Sequence, residues 1–436
     1  MDFLPSVSAM ARLGAVFFLM LLAIRKKMSL GSAFFLGSLL LGFVFSMSPS
    51  GLAVSVFRAL LHPKTLSLGI IVCLILVLSR SMELTGRMER LLERFQGLVR
   101  APRLNLIVFP ALIGLLPMPG GAVFSAPMVK TLGQSFRLTP RELSYVNYWF
   151  RHLWEYWWPL YPGILLTTTL ADIDLSLFIL VCFPLTLVAL GIGFIPLRKL
   201  ESRSPAEESA TGNSPPQVAY FLRELTPFLI VIGLGLGLGQ VLSWAAGPGW
   251  KDISKEIGLI LALLIAIGKV WISGPLTGAQ RRKMLTQKSL LQMFSMVAAI
   301  LVFKGILEDS RAVEAISREL MHWHIPLMPV TAILPFLVGA VVGITVAFVG
   351  TTFPILVSLI QTMGEGPWLA AYLMLALVSG FIGVLVSPLH LCFILSNEYF
   401  GTPMGPMYDL LKIPCTLMIL AAVLYFFLLR LTPGLS

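Results

Sequence analysis

Apolar runs of about twenty residues recur along the entire chain of 436 residues. A bilayer core is roughly 30 Å thick, so a helix needs about 20 mostly apolar residues to cross it. Hydrophobic residues make up 57% of the chain and charged residues only 12%. These runs exclude a soluble domain and predict an all-α polytopic membrane protein, with the lipid bilayer as its surroundings.

The positive charges lie in short segments between the apolar runs, although the net charge of +11 is large. This distribution is typical of loops on the inner side of a membrane and not of a face that binds phosphates. The sequence therefore predicts no nucleic-acid partner. The main clusters lie at 25–27, 87–103, 130–141, 198–203 and 281–283.

The apolar runs divide into ten predicted spans, five in each half of the chain. The first five are Val7–Ile24, Leu30–Met47, Thr65–Met82, Glu142–Leu170 and Leu175–Leu197. The second five are Glu224–Ser243, Glu256–Ser273, Ser289–Leu307, Pro367–Asn397 and Gly405–Arg430. Each half also contains an amphipathic helix followed by a longer apolar stretch, which predicts a surface helix and a re-entrant hairpin (Leu104–Ser135 and Leu327–Met363).

The two halves match in register, because adding 225 takes Glu83 to Glu308 and Gly114 to Gly339. We therefore predict two repeats, residues 1–200 and 223–436, joined by a cytoplasmic linker at 201–222 that is rich in Ser, Pro and Glu. Five crossings per repeat make the second repeat inverted. The charge clusters then all lie inside and both termini are extracytoplasmic.

The stretch from Leu112 to Met128 contains Pro117-Met118-Pro119-Gly120-Gly121 between two apolar segments. Prolines end a helix and glycines permit backbone conformations that other residues avoid. Non-helical backbone at membrane depth is tolerated only in protein or against a watery cavity. This pattern predicts a hairpin tip whose free N–H groups bind an anion, the alternative being a kinked span with a packing role.

Polar groups at the two tips are the first candidates for substrate binding. The first tip offers Pro119, Gly120, Gly121 and Ser125, and the second offers Thr345, Thr351 and Thr352. Oxyanions suit such backbone and hydroxyl donors. The alternative for the threonines is a hydrogen bond back to their own helical turn.

The fourth predicted span brings Asn147, Arg151, His152 and Glu155 to membrane depth. Ionisable residues there are costly and mark functional sites. Asn147 and Arg151 are predicted to bind an anionic substrate, with His152 or Glu155 exchanging a proton. Two alternatives stay open: Arg151 pairs with Glu155 one helical turn away, or the many Trp and Tyr residues mark an interface and the charges lie shallower.

The ninth span carries possible helix breaks at Ser379-Gly380 and Ser387-Pro388, followed by His390. Unwound carbonyls at such a break can hold a cation, so Ser387 and His390 join His152 and Glu155 as predicted ion- or proton-coupling residues. The four cysteines are predicted to be buried free thiols, and no metal site is predicted, since His152 and Glu155 are too few.

The order of three spans, hairpin, broken span and span, repeated with inversion, resembles the ion-transporter superfamily. Relatives there are the divalent anion–sodium symporters, gluconate permeases and arsenite permeases. The Pro-Met-Pro-Gly-Gly-Ala run at 117–122 is similar to that of uncharacterised prokaryotic membrane proteins placed in this superfamily. The resemblance implies an elevator-type transporter in the cytoplasmic membrane, usually a homodimer. Dicarboxylate relatives carry Ser-Asn-Thr tips, which this chain replaces with Pro-Gly-Gly and Gly-Thr-Thr.

These observations predict a secondary active transporter of a small, carboxylate-like solute, with Na⁺ or H⁺ as coupling ion and no other cofactor. A passive channel is the first alternative, and flux against a gradient would separate the two. An intramembrane enzyme using His152 and Glu155 is the second, but the sequence contains no recognisable nucleophile or nucleotide-binding fingerprint. We therefore predict no enzymatic activity.

Overall fold

A computed structural model describes residues 7–96, 102–118, 120–134, 136, 138–197, 218–245 and 253–431 of the chain. Helices make up 84% of the structure, and these residues contain no β-strand. Eight helical segments are long and apolar enough to cross a membrane. The prediction of an all-helical, multi-pass membrane protein is thereby confirmed.

Twenty α-helices follow one another in the described residues, ten on each side of 198–217. The first ten are α1 (Ala9–Arg25), α2 (Leu30–Val44), α3 (Pro49–Leu61), α4 (Pro63–Leu84), α5 (Arg87–Gln96), α6 (Pro102–Gly114), α7 (Ala122–Gln134), α8 (Pro140–Trp149), α9 (Pro162–Ala171) and α10 (Leu175–Gly193). The second ten are α11 (Val218–Ala245), α12 (Ser254–Ser273), α13 (Gly278–Leu285), α14 (Lys288–Asp309), α15 (Ala312–His322), α16 (Leu327–Val342), α17 (Thr345–Thr362), α18 (Leu369–Val386), α19 (Leu391–Phe400) and α20 (Met404–Arg430).

Local sequence explains where several of these helices begin. Ser29, Ser48 and Asp174 each accept a hydrogen bond from a backbone N–H three residues on, which caps α2, α3 and α10. Proline occupies the first position of α3, α4, α8 and α9, where its missing N–H costs nothing. Predicted surface helices at 83–103 and 309–324 correspond to α5 and α15.

Both predicted hairpins are pairs of helices that meet at a non-helical tip. In the first, α6 and α7 pack together, and Gly120, two residues before α7, has a left-handed φ of +76°. In the second, α16 and α17 meet at Gly343-Ile344, where Gly343 has a φ of +70°. The second tip therefore lies seven residues before the Gly350-Thr351-Thr352 run, which is the middle of α17.

The fourth and ninth predicted spans are both broken. The fourth consists of α8, a 3-10 turn at Phe150–His152, irregular backbone and then α9. The ninth consists of α18 and α19, separated by 387–390. Arg151, His152 and Glu155 lie in the first break and Ser387 and His390 in the second.

Ion pairs and polar contacts join distant segments at two opposite ends of the molecule. At the first end, Lys64 pairs with Asp172 and Lys255 with Asp174. At the second, Arg87 Nη2 donates to Ser273 Oγ at 2.7 Å. We call these the Asp172 end and the Arg87 end. Lys64 and Arg87 bracket the 22 residues of α4, which rises about 33 Å. This rise is close to the hydrocarbon thickness of a bilayer, which is roughly 30 Å.

The helices pack into two bundles that each draw on both halves of the chain. The first bundle contains α1–α5 with α11–α15, and α2 and α4 pack on α14 and α12. The second bundle contains α6–α10 with α16–α20, and α7 and α8 pack on α19 while α9 packs on α17. Contacts between the bundles run mainly through α14, α15 and α4 against α17 and α9. Both tips and both breaks therefore lie in the second bundle.

Candidate functional site

The first hairpin tip is placed against the break in the fourth span. A Cβ on Gly121 would lie 2.3 Å from Arg151 Nη2, and a Cβ on Gly114 would lie 2.0 Å from the Arg151 carbonyl oxygen. Only glycine permits such close approach at these positions. The backbone and side chain of Arg151 are thus both in contact with the hairpin.

Arg151 is a buried cation, with 2% of its surface exposed. Its Nη2 donates to the Met118 carbonyl at 2.9 Å and its Nη1 to Cys392 Sγ at 3.3 Å, while buried Nε has no hydrogen-bond partner. Within the described part of the chain it forms no ion pair. The break places Arg151 in a 3-10 turn, so the helical spacing assumed for an Arg151–Glu155 pair is absent.

Aromatic side chains hold the irregular part of the break on α6. Trp154 Nε1 donates to the Ala111 carbonyl at 2.7 Å, Trp158 Nε1 to Leu115 at 3.0 Å and Tyr161 Oη to Gly114 at 2.6 Å. The Ala111 and Gly114 carbonyls belong to the last turn of α6, which has no partners for them within the helix, and Leu115 is the first residue after it. The Trp and Tyr residues of the fourth span thus fix the break in position, and Tyr148, Trp158 and Tyr161 are buried.

A second polar group lies deeper along α7 and ties the tip to both broken spans. Ser125 Oγ donates to Asn147 Oδ1 at 2.6 Å. Asn147 Nδ2 donates to the Ala122 carbonyl at 2.9 Å and to Ser396 Oγ on α19 at 2.9 Å. Both N–H donors of the Asn147 amide are therefore used within the protein, and these bonds join the first tip to α8 and α19. The predicted role of Ser125 and Asn147 in substrate binding stays a prediction.

Two histidines from the two breaks face each other. His152 Nε2 lies 3.2 Å from His390 Nε2. His152 Nδ1 lies 2.6 Å from the Tyr148 carbonyl, and His390 Nδ1 lies 3.1 Å from the Gly343 carbonyl. A carbonyl oxygen can only accept, so each Nδ1 carries a hydrogen and each neutral ring presents an acceptor at Nε2. Two facing acceptors repel each other, so a shared proton or a cation between them would stabilise the pair.

The second tip contributes to the same cluster. Thr345 Oγ1 donates to Glu155 Oε2 at 3.0 Å, and Glu155 Oε1 lies 3.7 Å from His152 Nε2. Gly343 packs against the second break, because a Cβ there would lie 2.9 Å from both the His390 amide nitrogen and Ser387 Oγ. Both tips and both breaks thus meet at one cluster of polar residues, all buried except the half-buried Thr345: Arg151, His152, Glu155, Thr345, Ser387, His390 and Cys392.

The structure gathers most, but not all, of the predicted site residues. Gly120, Gly121, Arg151, His152, Glu155, Ser387 and His390 lie at this cluster or at the tip beside it. Pro119 and the linker at 201–217 lie outside the described residues. Thr351 and Thr352 donate to the Ala347 and Phe348 carbonyls of their own helix and touch no member of the cluster through a hydrogen bond. Of the three candidate threonines, only Thr345 reaches it.

Cys392 and Ser396 were missed by sequence reasoning. The sequence predicts four buried free thiols, and all four cysteines are free, but Cys73 is only half-buried. The position of Cys392 two residues after His390 was the available signal. The signal had no meaning until the fold brought His152, which is 238 residues away from His390, to the same point.

A separate cavity of about 360 Å³ lies between the two bundles at the Asp172 end. Its lining comes from α4, α11 and α12 on one side and from α9, α10 and their connection on the other, including Lys64, Asp172, Asp174 and Lys255. No residue of the buried polar cluster lines it. The cavity marks the boundary between the bundles and not the candidate site itself.

Fold and site together define an all-helical, multi-pass membrane protein with buried ionisable residues at helix breaks. The chain belongs to the family described as "Protein of unknown function (DUF401)", whose model matches residues 6–246 and 253–428. No curated protein matches the chain.

Proposed function

We propose that the protein is a secondary active transporter of a small, carboxylate-like anion. The observation that carries this proposal is the buried Arg151 guanidinium at the first hairpin tip, which has an unpartnered Nε and no carboxylate partner in the described residues. A buried charge without a counter-charge is costly. A bound anion would supply that counter-charge, and guanidinium groups bind carboxylates through paired, parallel hydrogen bonds.

The backbone beside Arg151 suits the same ligand. Gly121 contacts the guanidinium, and α7 begins at the next residue, Ala122. The first N–H groups of a helix have no partner within it, and the helix dipole favours negative charge at that end. Here the N–H groups of Gly121, Val123 and Phe124 already donate to the carbonyls of Met118, Gly120 and Gly121. A carboxylate at this point would therefore meet the guanidinium charge and the favourable end of the helix dipole.

The facing histidines favour a proton as the coupling ion over Na⁺. A proton shared between His152 and His390 would satisfy both Nε2 atoms, with Glu155 beside it as the counter-charge. Glu155 is itself held by Thr345 of the second tip. Protonation of the cluster would change the balance of charge around Arg151, which links proton binding to anion binding.

The two bundles support an elevator-type mechanism. In this mechanism the second bundle, which contains the site, moves along the first. The ten helices before 198–217 and the ten helices after it follow the same order. This order, together with the polar contacts at two opposite ends of the molecule, supports two inverted repeats with ten crossings. The Arg87 end, close to the cationic clusters, is then cytoplasmic, and both termini are extracytoplasmic. We further propose a homodimer in the cytoplasmic membrane of a prokaryote, as in the ion-transporter superfamily.

A binding experiment tests the anion site before any solute is known. Carboxylates such as acetate, gluconate and succinate should raise the unfolding temperature of the purified protein, whereas neutral amides of matched size should not. Arg151→Gln should abolish the stabilisation, and Arg282→Gln, which removes an exposed cation on α13, should retain it. Equal stabilisation of both variants would contradict the proposed role of Arg151. Solute flux that runs only down its gradient would indicate a passive channel. Chemical conversion of the added solute would indicate an enzyme.

A further inference from the structure

We infer that His152, His390 and Cys392 form a binding site for a transition-metal ion of borderline softness such as Zn²⁺, which occupies the position of the shared proton. The ligand atoms of the three side chains lie within 4.8 Å of one another, and all three residues are buried. Metal binding itself does not depend on the proposed function. Its consequence for transport, which is inhibition, rests on that function.

The distance between the two imidazoles fits a tetrahedral metal ion. Zinc–nitrogen bonds of about 2.0–2.1 Å at a tetrahedral angle place two ligand nitrogens roughly 3.3–3.4 Å apart. The two Nε2 atoms are 3.2 Å apart. An ion bound to both Nε2 atoms therefore requires little change in the distance between them.

The outer contacts of both rings are those expected of metal ligands. A ligating histidine nearly always donates its other N–H to a carboxylate, a backbone carbonyl or water, which fixes the ring and its tautomer. His152 and His390 make this contact with the carbonyls of Tyr148 and Gly343. The Gly343 contact depends on a left-handed backbone conformation at the second tip.

Cys392 provides a ligand of the kind that zinc prefers. It lies in the first turn of α19, and Arg151 Nη1 is 3.3 Å from its sulfur. A helix N-terminus and a guanidinium both stabilise a thiolate, which is the form that binds metals. Sγ has to approach the two nitrogens by up to about 1 Å to complete a zinc site with bonds of roughly 2.3 Å to sulfur.

Glu155 lies beside these three ligands and is not one of the group whose ligand atoms lie within 4.8 Å of one another. Its Oε1 lies 3.7 Å from His152 Nε2. A divalent ion bound by one thiolate and two neutral imidazoles, together with the neighbouring Glu155 carboxylate, has no net charge. The positive charge of Arg151 would then remain available to an anion, so metal binding and anion binding are compatible.

Cobalt spectroscopy tests the site directly on the purified, chelator-treated full chain. Co²⁺ should bind with one equivalent per chain and give both the visible bands of tetrahedral cobalt and a thiolate-to-cobalt charge-transfer band. Zn²⁺ should displace it, in line with the usual order of affinities. If the wild-type protein shows no charge-transfer band with Co²⁺, this result alone overturns the proposal.

Matched cysteine variants locate the site. Cys392→Ser should abolish the charge-transfer band, whereas Cys182→Ser, at another buried free thiol, should leave it unchanged. His390→Gln should weaken Co²⁺ binding by more than about tenfold. Removing only a hydrogen-bond partner of a metal ligand already costs at least about tenfold in affinity, and this substitution removes the ligand itself. A band that survives in Cys392→Ser would overturn the assignment.

Transport inhibition is tested separately. Zn²⁺ should block solute uptake by the wild-type protein and block it less in Cys392→Ser. If cobalt binds as described and carboxylates fail to stabilise the protein, the metal site stands and the proposed function fails. If carboxylates stabilise the protein and cobalt does not bind, the metal site fails alone.

Discussion

The guanidinium of Arg151 and the backbone of Gly121 are in direct contact, since a Cβ on Gly121 would lie 2.3 Å from Nη2. This contact joins the first hairpin tip to the break in the fourth span. It places the one buried guanidinium of the polar cluster beside the N-terminus of α7. The substrate proposal depends on this relationship, and the first two predictions address it.

Gly121→Ala should displace the Arg151 guanidinium, because its methyl group would occupy the position of Nη2. We expect solute uptake to fall at least tenfold while the protein still inserts and folds. The matched control is Gly191→Ala on α10, where a Cβ would meet no atom within 4 Å. If Gly121→Ala and Gly191→Ala take up solute equally well, the tip is a kink with a packing role and does not bind substrate.

Arg151→Gln should stop uptake with expression intact, and Arg151→Lys should rescue little, because a lysine cannot provide two parallel donors. Adding Glu155→Gln should not restore uptake, since Glu155 contacts His152 and Thr345 and not Arg151. The measurement is a double-mutant cycle on both uptake and unfolding temperature. Recovery in the double variant would mean that the two residues form a structural pair.

Thr351→Val and Thr352→Val should leave uptake close to the wild-type level, because both hydroxyls bond only to their own helix. Thr345→Val should reduce it, since Thr345 donates to the buried Glu155 carboxylate. The measurement is the uptake rate of each variant at several pH values. We expect Thr345→Val to shift the pH dependence of uptake, and Thr351→Val and Thr352→Val to leave it unchanged. A loss confined to Thr351 or Thr352 would place the substrate further along α17 than the structure indicates.

The ion pair at the Asp172 end should contribute to stability in a pH-dependent way. The hydrogen bond from Lys64 holds the pKa of Asp172 below its ordinary value of 3.8, against the effect of burial. A lowered pKa in the folded state stabilises the protein above the ordinary value, and this stabilisation is lost as the pH falls through the folded-state pKa. The effect is small, since the Asp172 side chain is 77% exposed.

We therefore expect Asp172→Asn to lower the unfolding temperature slightly near pH 6, with the difference from wild type disappearing as the pH falls below about 4. In a Lys64→Met background the same substitution should have little effect at either pH. A difference that stays constant with pH would show that the loss comes from packing and not from charge.

The positions of most helices could be predicted from the sequence, because membrane spans are recognised by the length of their apolar runs and by the charges of the loops between them. Predicted span 2 begins at Leu30 and predicted span 5 at Leu175, as α2 and α10 do. Positions within an apolar helix were harder to assign. The sequence placed the second tip at Gly350, since Gly-Thr-Thr is more polar than Gly343-Ile344. The actual tip is set by the close approach of Gly343 to His390.

The site was only partly accessible for a related reason. Arg151 and His152 stand out because charge is rare at membrane depth. The hydrogen-bond partners of Arg151 cannot be recognised in the sequence. Met118 contributes only a backbone carbonyl, and Cys392 lies in an apolar segment like the other cysteines. The assumed pairing of Arg151 with Glu155 relied on continuous helix. The break in the fourth span, which Trp154, Trp158 and Tyr161 hold open, removed that geometry.

Uptake into proteoliposomes with an imposed proton gradient tests the central claim most directly. The purified wild-type protein and Arg151→Gln would be reconstituted in parallel and supplied with labelled acetate, gluconate and succinate. The account predicts that the wild-type protein concentrates at least one of these carboxylates above its external level, that a protonophore abolishes the accumulation, and that Arg151→Gln shows none. Flux that only equilibrates, or accumulation that persists in Arg151→Gln, would contradict it.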